Sequence, residues 1–182
     1  VRQVPGVASA SGSVSGYARI IGRDGEPLGV DQGSPNFGMD ISDDPASAWV
    51  MREGRVPTVS TEMAMDASSY ADGDFAIGDQ VTVISQRGAR EFTLVGVVGF
   101  GTADSPVGSK VALFDLATAQ DFVGQAGQID EVLASGDGSL DQTTLAARVA
   151  AAMPDGTETM TGQELADDSS DQLKSALGFF NT

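Results

Sequence analysis

The chain has no histidine and no cysteine, one tryptophan and two tyrosines among 182 residues, and 10 basic side chains against 26 acidic ones. Without His or Cys there is no Ser-His-Asp triad, no thiolate nucleophile, no zinc site of the usual kind and no haem ligation through those residues. The shortage of Lys and Arg leaves a net charge of −16, which opposes nucleic acid and anionic membrane surfaces, since both want a basic patch. Long apolar runs are missing too. None approaches the roughly 20 residues needed to span a bilayer, and the longest, Leu94 to Phe100, is interrupted by Gly96 and Gly99 and reads as a buried strand. The opening Val1-Arg2-Gln3-Val4 has neither Met nor an apolar leader. Beginning in mid-phrase, the chain is expected to be a piece of something larger. The lack of Cys leaves the redox compartment open.

What is present is enough for a core: 41% of residues are hydrophobic, and 23 glycines promise many short loops. The length suits one domain or two small lobes. Val14 to Ile21 reads as a strand, followed by an Asp24-Gly25 hairpin turn. Ser34-Pro35-Asn36-Phe37-Gly38 reads as a turn, Met39 to Ile41 as a short strand, and Asp43-Asp44-Pro45 as a helix start or tight turn. Glu62 to Asp66 is a strand, and 67–76 hold one short helix. Gln80 to Ile84 is β-branched, with Arg90 to Phe100 as its hairpin partner through Arg87-Gly88-Ala89. These pieces predict a compact lobe over 58–104.

The last third alternates strand and helix: Val111 to Phe114, a helix capped by Asp115, Ile129 to Ala134, a helix over Ser139 to Met153, and Thr157 to Met160. After the turn at Pro154-Asp155-Gly156, Thr161-Gly162-Gln163-Glu164 forms a capping box. The helix it opens carries Leu165, Leu173 and Leu177 on one side and runs towards Phe179-Phe180. The order predicts an α+β fold, an α/β sandwich with helices packed on a sheet.

Candidate sites weigh lightly against plainer readings. Asp72-Gly73-Asp74 with Asp79, and Asp137-Gly138-Ser139 with Asp141, look like calcium loops. From Asp137, however, position 6 is Gln142 and position 12 is Arg148, where an EF-hand needs Gly and Glu. Solvated turns are the better reading. Gly96-x-x-Gly99-x-Gly101 follows a strand but opens no helix, so it lacks the nucleotide fingerprint. Ser-Lys catalysis has only Lys110 and Lys174 to draw on, and nothing in the sequence promises the burial that a lysine base needs. The acid pairs Asp43-Asp44 and Asp167-Asp168 read as helix-start or solvated charges. No catalytic constellation, cofactor site or metal site is expected. The rival class is a free secreted binding module or a carboxylate-based hydrolase, with Asp104 and Asp115 as its testable acids.

Several phrases, taken in order, resemble the extracytoplasmic domain of FtsX-like ABC transporter permeases, the MacB-like periplasmic core. They are Val4-Pro5-Gly6-Val7, Glu53-Gly54-Arg55-Val56-Pro57 with Glu62, Ile77-Gly78-Asp79-Gln80-Val81, Leu94-Val95-Gly96-Val97-Val98 and Phe114-Asp115-Leu116-Ala117-Thr118-Ala119-Gln120. The chain departs from that pattern in its −16 charge and Ala/Gly-rich texture.

The resemblance implies a porter-like lobe from 1–57 and 105–182 with a smaller α/β lobe, 58–104, inserted in it. It also implies a non-enzymatic module outside the cell membrane, flanked by membrane helices and moved by a separate cytoplasmic ATP-binding subunit. A homodimer or paired permease would be the full assembly, and the isolated fragment would be inert and monomeric. The cargo or partner would be a lipid, a lipoprotein or a cell-wall hydrolase, with no role for nucleic acid. Apolar residues left exposed would make the contacts; Phe37, Trp49, Phe75 and Phe100 are the candidates, with core packing as the plainer fate of each.

Overall fold

The computed structural model describes residues 1–29, 35–42, 47–154 and 156–164. Ser34, the Asp43-Asp44-Pro45 turn, Asp155 and everything after Glu164, including Leu165, Asp167-Asp168, Leu173, Lys174, Leu177 and Phe179-Phe180, lie outside the described residues. The contacts divide the chain into one unit of Gly12–Leu133 and another of Val1–Ser11 with Ala134–Thr182. The sequence reading set its boundaries instead at 57/58 and 104/105. The difference has a plain cause, because the strands within 58–104 hydrogen-bond into the same sheet as those on either side.

That sheet belongs to the larger unit. Its strands are β2 (Ser15–Gly16), β3 (Ala18–Ile20), β4 (Asn36–Asp40), β5 (Trp49–Gly54), β6 (Glu62–Asp66), β7 (Gln80–Ser85), β8 (Gly88–Phe100) and β9 (Lys110–Phe114). The order is β2-β4-β9-β6-β8-β7-β3, with β5 added on β8. The two ends of this order, β2 and β3, are one run of chain broken only at Tyr17. Its first half pairs with β4 and its second with β7, so the sheet closes on itself. The expected strand from Val14 to Ile21 is thus one segment serving two neighbours. The Asp24-Gly25 turn follows as expected, with Gly25 at φ 84° and Ile21 bridged to Pro27.

Period-two alternation sends one set of side chains inside. Ala18, Ile20, Met63, Met65, Val81, Val83, Phe92, Leu94, Ala112 and Phe114 form the main core. The register of β8 slips by one residue at Val95, since Met63 faces Leu94 while Ala64 faces Gly96. The bulge flips the parity, so Val97 rather than Gly96 stands opposite Met65. Helix α2 (Leu116–Phe122) begins where the Asp115 side chain accepts from Thr118 N at 3.1 Å, the cap expected from the sequence. It delivers Phe122 into the core, where the rings of Phe92, Phe114 and Phe122 lie 4.8–5.6 Å apart. The residues of opposite parity build a second, smaller core on the other face: Ile41, Ala64, Val98, Val111 and Leu113, with Met39, Trp49, Met51 and Val56 against them.

In the smaller unit, α3 (Gln142–Ala152) is capped by Asp141, whose carboxylate accepts from Thr144 N at 2.9 Å. None of its residues is fully buried. Leu145 comes close to Gly6 and Gly136, where a Cβ would meet its methyl groups. Strand β1 (Val7–Ser13) pairs with β10 (Glu131–Gly136) in a separate two-stranded sheet. The strand expected over Thr157–Met160 does not form; those residues carry no regular structure. The capping box does form, with Glu164 N donating to Thr161 Oγ1 at 3.1 Å and Thr161 N to Glu164 Oε2 at 2.7 Å.

Candidate functional site

The four aromatic candidates fall in two places. Phe75 is part of the main core, with 7% of its surface exposed. The other three share the opposite face of the sheet. Phe37 has the parity of Met39 and stands in register with Val111, both on the second core's side. It keeps 43% of its surface exposed. Trp49 packs on that core and meets Phe100 in a T-shaped contact at 5.3 Å, the two residues being partners across the β5–β8 ladder. Phe100 is 40% exposed. The result is a buried apolar floor with an aromatic rim at two edges.

This rim rests on a built crossing. Gly54 ends β5 with φ +73°, and a Cβ there would lie 2.2 Å from the Val95 carbonyl oxygen. Arg55 N donates to that same oxygen at 2.9 Å. Its guanidinium forms an ion pair with Glu62, which also accepts from Thr58 N at 3.1 Å. The Arg55 hydrogen bond, then the Thr58 N–H, pull the Glu62 carboxyl down to about 2. The Glu53-Gly54-Arg55-Val56-Pro57 phrase therefore has a structural role, turning the chain from β5 over the bulge of β8.

The structure corrects the sequence reading of Lys110, which is 98% out of solvent. Nothing local foretold this; α1 (Ala67–Asp72) covers it. Lys110 Nζ lies 2.6 Å from Ser68 Oγ and 2.5 Å from Asp72 Oδ2. A serine beside a buried lysine is the arrangement of a Ser-Lys dyad, but here the ammonium is engaged by a carboxylate. Ser68 Oγ accepts from that ammonium, so the lysine is not a free base for it. The neighbouring Asp66 has no exposed surface and accepts from Ser69 N at 2.9 Å and Val111 N at 2.7 Å. Burial raises its carboxyl above the ordinary range, against the hydrogen bonds that pull the other way. Together Asp66, Asp72 and Lys110 pin both ends of α1 to β6 and β9.

The acidic turns spend their oxygens locally. Asp79 accepts from Ala76 N at 2.8 Å and pairs with Arg23; Asp137 accepts from Ser139 N at 2.8 Å, and Asp141 caps α3. Asp115 is likewise a helix cap, and the backbone carbonyl of Asp104 accepts from Ala67 N at 3.1 Å. Among the described residues no group of three or more acidic side chains is arranged to hold a metal ion.

Comparison with known proteins places this geometry. No family model matches the chain, and no curated protein sequence matches it. Among solved structures it is similar to the periplasmic region of MacB from Actinobacillus actinomycetemcomitans. The match covers 100% of this chain and 79% of that one, with a TM-score of 0.60 at 16% identity. The α+β fold is therefore that of the MacB periplasmic region, as the ordered phrases of the sequence anticipated.

Proposed function

We propose that this chain is the extracytoplasmic domain of an FtsX/MacB-type ABC transporter permease, lying outside the cell membrane and moved by ATP hydrolysis at a cytoplasmic subunit. The observation that carries the reading is the fold likeness to the MacB periplasmic region over the full chain. The absence of His and Cys from the sequence and the ion-paired state of the buried lysine support a domain that binds and transmits rather than catalyses. Among the described residues no helix is long and apolar enough to cross a membrane, so on this reading the anchors belong to flanking segments. The domain contacts a lipid, a lipoprotein or a cell-wall hydrolase through the aromatic rim of Phe37, Trp49 and Phe100, with Phe75 reserved for the core. The full assembly is a dimeric or paired permease.

The test is purification of the full-length protein from its native membrane. The reading predicts that an ATP-binding subunit copurifies and that Phe37→Ser with Phe100→Ser impairs the transport or hydrolase-activating phenotype while leaving the complex intact. Copurification of no ATPase from a detergent-solubilised membrane would contradict it.

A further inference from the structure

At one end of the closed sheet, Ser15 of β2, the β7–β8 turn (Gln86, Arg87), the end of α2 and the loop to Asp130 surround a groove of about 670 Å³. That volume is in the range of small-molecule sites, but the lining is polar where such sites are usually apolar. Two opposite charges are fixed in it by backbone contacts. Arg87 donates a guanidinium N–H to the Gly124 carbonyl oxygen at 2.7 Å. Asp130 accepts from Ser15 N at 2.9 Å through one oxygen, and its other oxygen takes no hydrogen bond among the described residues. Tethering of this kind holds both charges in place before any ligand arrives, which lowers the ordering cost of binding.

A further cation, Arg19, lies on the neighbouring strand β3. The β3–β7 ladder pairs Ala18 with Ser85, so its next step brings Tyr17 opposite Gln86. Arg19 lies 5.8 Å from the centre of the exposed Tyr17 ring. Its Nε is buried without a partner, and Arg19 makes no ion pair among the described residues. Among the described residues Arg87 makes no ion pair, and its partner is the Gly124 carbonyl.

We propose that this groove binds a small zwitterion, with its oxyanion on Arg87 and its ammonium on the open oxygen of Asp130. Net charge decides between this and a simple anion. A protein at −16 repels a free anion through its whole field, whereas a ligand carrying its own positive charge escapes that repulsion and meets both fixed charges. The assignment is independent of the transporter reading. An oxyanion joined to an ammonium by a short spacer occurs both at peptide ends and in phosphoethanolamine headgroups, and the experiment separates these sources.

Isotope-labelled 1–182 protein is titrated at about 0.15 M salt, where long-range fields are screened. The probes are glycylglycine and phosphoethanolamine, with acetate, inorganic phosphate and ethylamine as single-charge controls. Saturable amide shifts confined to Ser15, Gln86, Arg87 and the 124–130 loop are expected with a zwitterion, and the tighter of the two names the source. Arg87→Gln and Asp130→Asn are each expected to weaken binding roughly fivefold or more. Asp130→Asn retains an acceptor for Ser15 N, so it remains informative if Arg87→Gln loosens the loop. Absence of saturable shifts, equal binding of acetate or phosphate alone, or unchanged affinity in Asp130→Asn would each overturn the proposal.

Discussion

Phe75 and Phe37 are the same side chain in two settings, and truncation separates them. Phe75→Ala removes a ring from the main core and is expected to cost about 3–5 kcal/mol in urea unfolding. Phe37→Ala removes a ring with 43% of its surface already in water and should cost about 1 kcal/mol or less. Equal losses would mean that the rim is core after all. Glu62 offers a second residue-level test. Its carboxyl titrates near 2 because Arg55 and the Thr58 N–H hold the charged form, so the folded value lies below the unfolded one. The pair's contribution is present above the ordinary glutamate range and is lost as pH falls towards 2. Arg55→Gln should move the Glu62 midpoint up by carboxyl NMR titration; an unchanged midpoint would assign the shift to the backbone alone. Such single residues were readable only in part. Asp115 announced its cap through local spacing, whereas the burial of Lys110 depends on α1 arriving from forty residues away.

At the scale of elements, the β5–β8 crossing is the most exacting joint. Gly54→Ala would put a Cβ on the Val95 carbonyl at a left-handed backbone position. It is expected to destabilise by about 1–3 kcal/mol and to loosen the Trp49–Phe100 contact, seen as a red shift in tryptophan emission. An unperturbed spectrum and stability would show that β5 ends elsewhere. Elements with strong local signals were legible: Val81 and Val83 alternate cleanly, and the Arg87-Gly88 turn specifies the β7–β8 hairpin. Pairings set at long range were not. No local pattern says that Tyr17 divides one strand between two neighbours, nor that β1 finds β10 across more than 100 residues. Thr157–Met160 has strand-forming residues, but strand pairing depends on a partner edge, and the chain there stays irregular.

At the scale of the molecule, fold and placement are separate questions. The ordered phrases were legible because each marks a local joint of this chain: Gly6 and Gly78 at positive φ, the Gly54 crossing, the bulge at Val95 and the Asp115 cap. The boundary of the units was not readable, since 58–104 is locally compact yet shares its sheet with β3, β4 and β9. Placement outside a membrane rests on fold likeness and is open to direct test. Cells producing the native full-length protein are stripped of any outer membrane and wall to leave the cell membrane intact, treated with an external protease, and their membranes are then washed with high salt and carbonate. Antibody to this domain reports the outcome. The account predicts that the domain stays with the washed membrane and is digested from outside while the cell membrane is intact. Recovery in the soluble fraction, or protection from the protease until the membrane is broken, would contradict it.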